Sequence, residues 1–294
     1  MGELCAMDIP ADGRLVEFRR TVRSRGAELY RDLPWRRTRD PYAIWISEVM
    51  LQQTQVSRVD GRWQRWLERF PSVDALAAAQ VADVLDEWQG MGYNRRALSL
   101  LNAARSVADA GGVMPSDLKE LVALPGIGPA TAAGIRAFAF NLPGVYLETN
   151  VRTVMLHEFY PDAEQVPDKE LVPLVEASCP KDARDPEDDP RTWYYALLDY
   201  GYHLKRTVPN PSRRSRTHVR QSRFDGSHRQ KRAMVVRALL SHREGAPVST
   251  IAQEVSAEER RAGRPPVEEA YVLSLLEELA AEGFCCEESG LWKP

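Results

Sequence analysis

Cysteine is scarce in this chain: Cys5, Cys179, Cys285 and Cys286 are the only four in 294 residues. Two stand alone and two are adjacent, a spacing unsuited to chelation, so reduced thiols without a metal site are the expectation. No apolar run approaches the ~20 residues of a membrane span. The opening MGELCAMDIP lacks the basic start and apolar block of a secretory signal. The chain is therefore read as a cytoplasmic protein with no membrane partner. Positive charge is not in excess either, since the formal net charge is −3, so only the local placement of charge can mark a nucleic-acid binder. Strand signals are confined to the C-terminus and no repeat period is visible, which excludes a solenoid and leaves a mostly α fold.

What is present is ordinary for a globular protein, with 44% hydrophobic and 28% charged residues and length for about two domains. Pro and Gly act as punctuation between helical stretches. Helices are predicted over 15–31, 58–69, 73–79, 81–88, 94–110, 117–122, 129–140, from about 150, over 168–177 and over 191–204. Asp40 caps a further helix whose Pro41 fills the first position, where a missing N–H costs nothing. The segment 181–191 (KDARDPEDDPR) reads as a solvated acidic loop. The segment 206–232 is strongly basic with hardly any apolar residues, so it is not expected to build a core. By itself such a run fits a flexible linker or a phosphate-tracking arm equally well. Beyond it, helices over 232–243, 248–255 and 266–281 precede two short strand signals, Phe284–Cys286 and Leu291–Lys293. That pattern fits a winged-helix module, or a purely structural cap or dimerisation domain. The domain boundaries expected are 1–205, a basic linker 206–230, and 231–294.

The sharpest local signal is Leu124-Pro125-Gly126-Ile127-Gly128-Pro129-Ala130-Thr131-Ala132. One helix ends in an apolar turn and another begins at once. Gly126 and Gly128 remove the side chains that would keep another molecule from the backbone. The next helix offers free N–H groups and its positive dipole end, which suits an anion such as a phosphate. Such a contact positions DNA without reading its sequence.

With the hairpin stand Leu33-Pro34-Trp35, the block Trp45-Ile46-Ser47-Glu48-Val49-Met50-Leu51-Gln52-Gln53-Thr54-Gln55-Val56, and Gly90-Met91-Gly92-Tyr93. In this order they resemble the helix-hairpin-helix DNA glycosylases of the endonuclease III superfamily over about 33–204. SEVMLQQTQV resembles the adenine glycosylase branch. The resemblance implies a fold of two helical lobes, with Glu48 as the general acid that protonates the departing purine. Gln52 and Tyr93 would enter the base stack, with Gln53 and Thr54 beside them on the DNA. Gly126, Ile127, Gly128, Ala130 and Thr131 would hold a phosphate, in this superfamily often through a monovalent cation. Glu148 sits where the family normally has an aspartate that steadies the sugar cation.

The residues also carry the chemistry independently. Breaking an N-glycosidic bond needs one acid to deliver a proton and one carboxylate near the developing oxocarbenium ion. Glu48 lies on an apolar helix, where desolvation favours the protonated form. Gln52 and Gln55 are expected one and two turns later on the same face. Glu148 falls at a helix start, where the ionised form is favoured.

Three departures from the family pattern bear on function. The lysine that bifunctional members carry two residues after the second hairpin glycine is Ala130 here, so hydrolysis without a lyase step through that amine is expected. The four cluster-binding cysteines are replaced, their places falling at about Lys205, Ser212, Ser215 and Gln221, so no iron–sulfur cluster is expected. Arg213, Arg214 and Arg216 of the basic run are the residues expected to contact DNA instead. The third departure is Glu148 itself, together with a C-terminal region unlike the domain that recognises oxidised guanine. The first-choice function is a monofunctional glycosylase that removes adenine opposite 8-oxoguanine or guanine from double-stranded DNA, acting as a monomer. Hypoxanthine or another damaged base ranks second and a mismatched pyrimidine third. A non-catalytic DNA-structure binder is the alternative of another class, and a transcription regulator the remaining one. His157 and His203 lack metal-ligand partners, and Trp63, Trp66 and Trp88 are expected in packing.

Overall fold

The computed structural model describes residues 12–182, 189–218 and 223–294. Fifteen α-helices and one small hairpin are defined among them. The described chain forms two compact units, each discontinuous in sequence: Met1–Glu48 with Met114–Arg220, and Val49–Val113 with Gln221–Pro294. These units cut across the linear division at 205 and 230, because long-range packing and ion pairs, invisible in sequence order, tie the C-terminal module to the segment 49–113.

The first unit contains α1 (Asp12–Leu29), α2 (Pro41–Leu51) as far as Glu48, α8 (Leu118–Ala123), α9 (Pro129–Phe140), α10 (Thr149–Phe159), α11 (Asp168–Ser178) and α12 (Pro190–Thr207). Asp40 caps α2, its carboxylate accepting from the N–H groups of Tyr42 and Ala43 at 3.2 Å each. The core gathers Phe18, Phe138, Tyr146, Met155, Trp193, Tyr194 and their apolar neighbours. α12 is the central strut, lying against α1 and α10. Two glycines permit those approaches. A Cβ at Gly26 would overlap that of Ala196, and one at Gly201 would stand 2.7 Å from the Asn150 carbonyl carbon.

A buried ionic cluster locks α12 to the chain between α1 and α2. Asp199 accepts from Arg36 Nη1 at 2.6 Å and Nη2 at 2.9 Å, and from Arg31 Nε at 2.5 Å. The Arg36 guanidinium lies 4.4 Å from the Tyr195 ring centre. Arg191 donates to the carbonyls of Phe138, Arg36 and Thr38. Motif reading passed over all of these residues.

The basic run does build local structure, contrary to the expectation of a coreless linker. Pro211–Arg214 forms a 3₁₀ turn that Asn210 caps, and it packs on α10. Pro211, Ser212 and Ser215 are buried. The turn is anchored where Val166 N–H donates to Arg214 O at 2.9 Å and Arg216 N–H to Val166 O at 3.0 Å. Arg214 is turned into the protein, donating to the carbonyls of Pro161 and of Leu156 in α10. The Leu156 carbonyl belongs to the last turn of α10, where partners are otherwise lacking, and Pro161 lies just beyond it. Arg213 and Arg216 are exposed, whereas Arg214 is half-buried. Position 221 lies outside the described residues. Arg214→Met should therefore cost about 1–3 kcal/mol of stability in urea unfolding, while Arg213→Glu and Arg216→Glu stay within about 0.5 kcal/mol.

The second unit holds α3 (Val56–Val59), α4 (Arg62–Arg69), α5 (Val73–Ala77), α6 (Val81–Glu87) and α7 (Arg95–Asp109). With them lie α13 (His228–Ser241), α14 (Val248–Arg261), α15 (Glu269–Ala281), β1 (Cys286–Glu288) and β2 (Leu291–Lys293). Trp63, Trp66 and Trp88 are in the core as expected. β1 and β2 pair antiparallel, and Ala246 bridges to Trp292, so the three helices and hairpin have the winged-helix arrangement. The module is fastened to the helices before it: Arg95 of α7 pairs with Glu282 at 2.6 Å, and Arg243 pairs with Asp83 and Asp86 at α6. The third helix and its flanks carry Glu268, Glu269, Glu277, Glu278 and Glu282 with no Lys or Arg. That charge opposes a phosphate backbone, which disfavours this helix as a DNA reader. Of the cysteines described, Cys179 and Cys285 are buried, Cys286 is exposed, and all are free thiols.

Candidate active site

Glu48 lies on α2 with Trp45, Ile46 and Val49 buried around it. Part of the residue remains open, but the protein packed around its carboxyl desolvates it and pushes its pKa up to about 8. Two lesser influences oppose each other. A hydrogen bond from Tyr146 lowers the value, and the neighbouring charge of Glu148 raises it. Tyr146 Oη donates to Glu48 Oε2 at 2.9 Å. Its phenol is itself pushed well above the usual range, first by burial, so it keeps the proton that it donates. Edge contacts with Phe138 and Tyr194 hold the Tyr146 ring. On the other side stands α9, where a Cβ at Gly134 would overlap Glu48 Oε2 and lie 2.8 Å from Tyr146 Cε2. Only glycine there leaves room for the carboxyl.

Tyr146 was not singled out from sequence, although a signal existed. In extended backbone, residues two apart point the same way, and Tyr146 stands two before Glu148 in the irregular stretch that leads to α10. Glu148 is the N-cap of α10. Its Oε1 accepts from Asn150 N–H at 2.5 Å and Val151 N–H at 2.9 Å. These bonds and the charge of Lys205 lower its pKa, as a helix start should, but burial outweighs them and the net shift is upward. The expectation of a simply favoured carboxylate is corrected accordingly. Burial thus raises both acids, Glu48 to about 8, and Glu148 is the one whose ionised form is favoured by backbone N–H donors and a nearby lysine.

The hairpin also belongs to this unit. Asp117 caps α8 by accepting from Lys119 N–H at 2.8 Å and Glu120 N–H at 3.1 Å. Ile127 is buried and pins the turn, while Gly126 and Gly128 are exposed. Gly126 has φ +76°, which only glycine adopts freely. Gly128 is different: its backbone is extended and an added Cβ would meet nothing. Neither conformation nor internal packing demands a glycine there. Gly128 starts α9 without a side-chain cap, followed by Pro129, Ala130 and Thr131.

The base-stack candidates lie in the second unit. α2 ends at Leu51, and Gln53 turns the chain with φ +55°. Gln55 is the N-cap of α3, so the expected continuous helical stripe from Gln52 to Gln55 is not formed. Arg96 of α7, which motif reading missed, organises this region. Its Nη1 donates to the carbonyls of Val49, Met50 and Gln52, and its Nη2 to Thr54 Oγ1, Met91 O and Gly92 O. Trp88 Nε1 holds Gly92 O as well, at 3.1 Å. Tyr93 follows with φ +50° and 43% of its surface exposed. Its phenol oxygen lies 3.4 Å from Arg229 of α13. The loop carrying Gln52, Gln53 and Thr54 and the loop carrying Tyr93 thus share one guanidinium. No sequence motif announces this, because Arg96 recognises carbonyls, which every residue has.

Residues 46–175 match the family model described as HhH-GPD superfamily base excision DNA repair protein. Over this stretch the chain is similar to that superfamily, and the fold is the helix-hairpin-helix glycosylase fold. Within it, the chain most resembles the adenine DNA glycosylases. It is 39% identical over 173 residues to the adenine DNA glycosylase of Mycolicibacterium smegmatis, covering 58% of this chain and 57% of that one. It is 44% identical over 128 residues to the one of Mycobacterium tuberculosis, covering 43% and 42%. To the human one it is 40% identical over 135 residues, covering 42% and 25%. The chain therefore spans between a quarter and just over half of these relatives. A solved thermostable thymine-DNA glycosylase superimposes with a TM-score of 0.56 and 26% identity, over 65% of this chain and 87% of that one. Among the described residues, no helix is long and apolar enough to cross a membrane, and no group of three or more His, Cys, Asp or Glu side chains forms a metal site.

Proposed function

We propose that the chain is a monofunctional DNA glycosylase that flips a purine from double-stranded DNA and hydrolyses its bond to deoxyribose, with adenine opposite 8-oxoguanine or guanine as the first-choice substrate. The observation that carries the reading is Glu48, a carboxyl that burial keeps protonated to about pH 8, steadied by Tyr146 and given room by Gly134. A carboxyl of that kind is a proton donor at neutral pH. As the N-glycosidic bond breaks, its electron pair passes to the base, which takes a proton from Glu48. Positive charge is left on the sugar. Glu148, ionised, faces that charge, and water adds to C1′ while Glu48 accepts a proton in return. The hairpin takes a phosphate at the N-terminal end of α9, and a monovalent cation there would be held by main-chain oxygens of the turn. No chemical step depends on that ion. Ala130 has no amine, so Schiff-base strand cleavage at that position is not available. Of Arg213, Arg214 and Arg216, the first and last are exposed for phosphate.

Single-turnover base release tests the reading, on duplexes bearing adenine opposite 8-oxoguanine or guanine, hypoxanthine opposite thymine or cytosine, and uracil or thymine opposite guanine. Release of adenine, leaving alkali-labile abasic sites, is expected. Release of hypoxanthine or a pyrimidine alone replaces the substrate, and tight binding without release from any duplex favours a DNA-structure binder. Charge reversal at Arg213 and Arg216 should weaken binding to every duplex by a similar factor and reduce the slope of log affinity against log salt by about 1 for each lost contact.

A further inference from the structure

The point where α12 crosses the start of α10 brings a lysine to Glu148. Gly201 lies against Asn150, so close that a Cβ would stand 2.7 Å from its carbonyl carbon. One turn later on the same face of α12 comes Lys205. Helical side chains lean towards the N-terminal turn, which aims the Lys205 stem back over Gly201, at the α10 cap. Lys205 is half-buried and has no hydrogen bond or ion pair among the described residues. The groups around Glu148 are few. They are Glu48 from α2, Tyr146 from the preceding stretch, the N–H groups and amide of Asn150 with Val151 N–H on its own helix, and Lys205 from α12. Arg31 is the other cation felt by Lys205, and it is engaged by Asp199. Glu48 is protonated and Tyr146 keeps its proton, so neither carries a charge that favours ionisation of Glu148, and Lys205 is the side-chain cation that does. In the family resembled here, this place holds a cysteine of the cluster.

We propose that Lys205 is a positioning residue that keeps Glu148 ionised in the reaction, a role that rests on the glycosylase reading above. The reciprocal influence agrees with the geometry: burial pushes the ammonium down, and the Glu148 charge opposes that fall.

The test compares wild type, Lys205→Met and Lys205→Arg by single-turnover base release at subsaturating protein between pH 5 and 9. With Lys205→Met, the acidic limb should move up by about one pH unit, with a loss that approaches about 10-fold at the acid end of the limb and is small from neutrality upward. Lys205→Arg should restore the wild-type limb. A loss of equal size at every pH, or a reduced salt slope of DNA affinity with an unmoved limb, would make Lys205 a structural or phosphate-contacting residue and overturn the proposal. A second readout is independent of activity: ¹³C titration of the Glu148 carboxyl, assigned with Glu148→Gln. Its midpoint should rise in Lys205→Met even if no duplex releases a base, and an unchanged midpoint overturns the proposal in either case.

Discussion

Replacing Glu48 by Gln should abolish base release, by about 10³-fold or more, while leaving DNA affinity within a few-fold of wild type. Glutamine fits the same space and accepts from Tyr146, but has no proton to give. The same substitution should stabilise the protein in a pH-dependent way. An acid whose folded pKa is about 8 binds more protons in the folded than in the unfolded state over the range between the ordinary carboxyl value of 4.5 and 8. Stability therefore falls as pH rises through that window and levels off above it. Glu48→Gln removes the penalty. Its advantage should be near zero at pH 4.5 and grow to the order of 2–4 kcal/mol by pH 8.5, read from urea midpoints at each pH. Equal stability of the two proteins at pH 8.5 would mean that Glu48 is ionised and solvated there.

The second large effect is structural. Asp199→Ala should cost about 3–5 kcal/mol, because it strands the Arg36 guanidinium without its counter-charge. The Arg36 and Asp199 side chains are only 2% and 0% exposed. Removing both charges together, as in Arg36→Met with Asp199→Leu, should be much milder than either alone. The exposed pair Arg25–Glu28, with side chains 48% and 60% exposed, provides the contrast, and Glu28→Gln should change stability by less than about 1 kcal/mol. Chemical denaturation of these variants at neutral pH measures the set. A cost below about 1 kcal/mol for Asp199→Ala would show that water reaches Arg36.

Helix starts were legible because their signals are local. Asp40, Asp117 and Glu148 each cap the helix that follows, as short-range chemistry requires. The hairpin was legible for the same reason, and its glycines differ, since Gly126 is needed for its conformation and Gly128 is not. Glu48 could be read as a desolvated acid from its apolar neighbours. Long-range relations were not legible. Arg214 and Arg96 act on carbonyls, which carry no side-chain signature, so one looked like part of a DNA arm and the other like nothing in particular. Arg36 and Asp199 are 163 residues apart, too far for any window to pair them. The balance at Glu148 was misjudged because its burial comes from packing against distant segments, whereas its helix-cap bonds are local.

The pH dependence of base release at subsaturating protein tests the central claim most directly, since it reports the groups of the free protein. A protonated Glu48 predicts a rate that is level through neutrality and falls tenfold per pH unit beyond about pH 8. A rate still level, or rising, through pH 9.5 would contradict proton donation from Glu48.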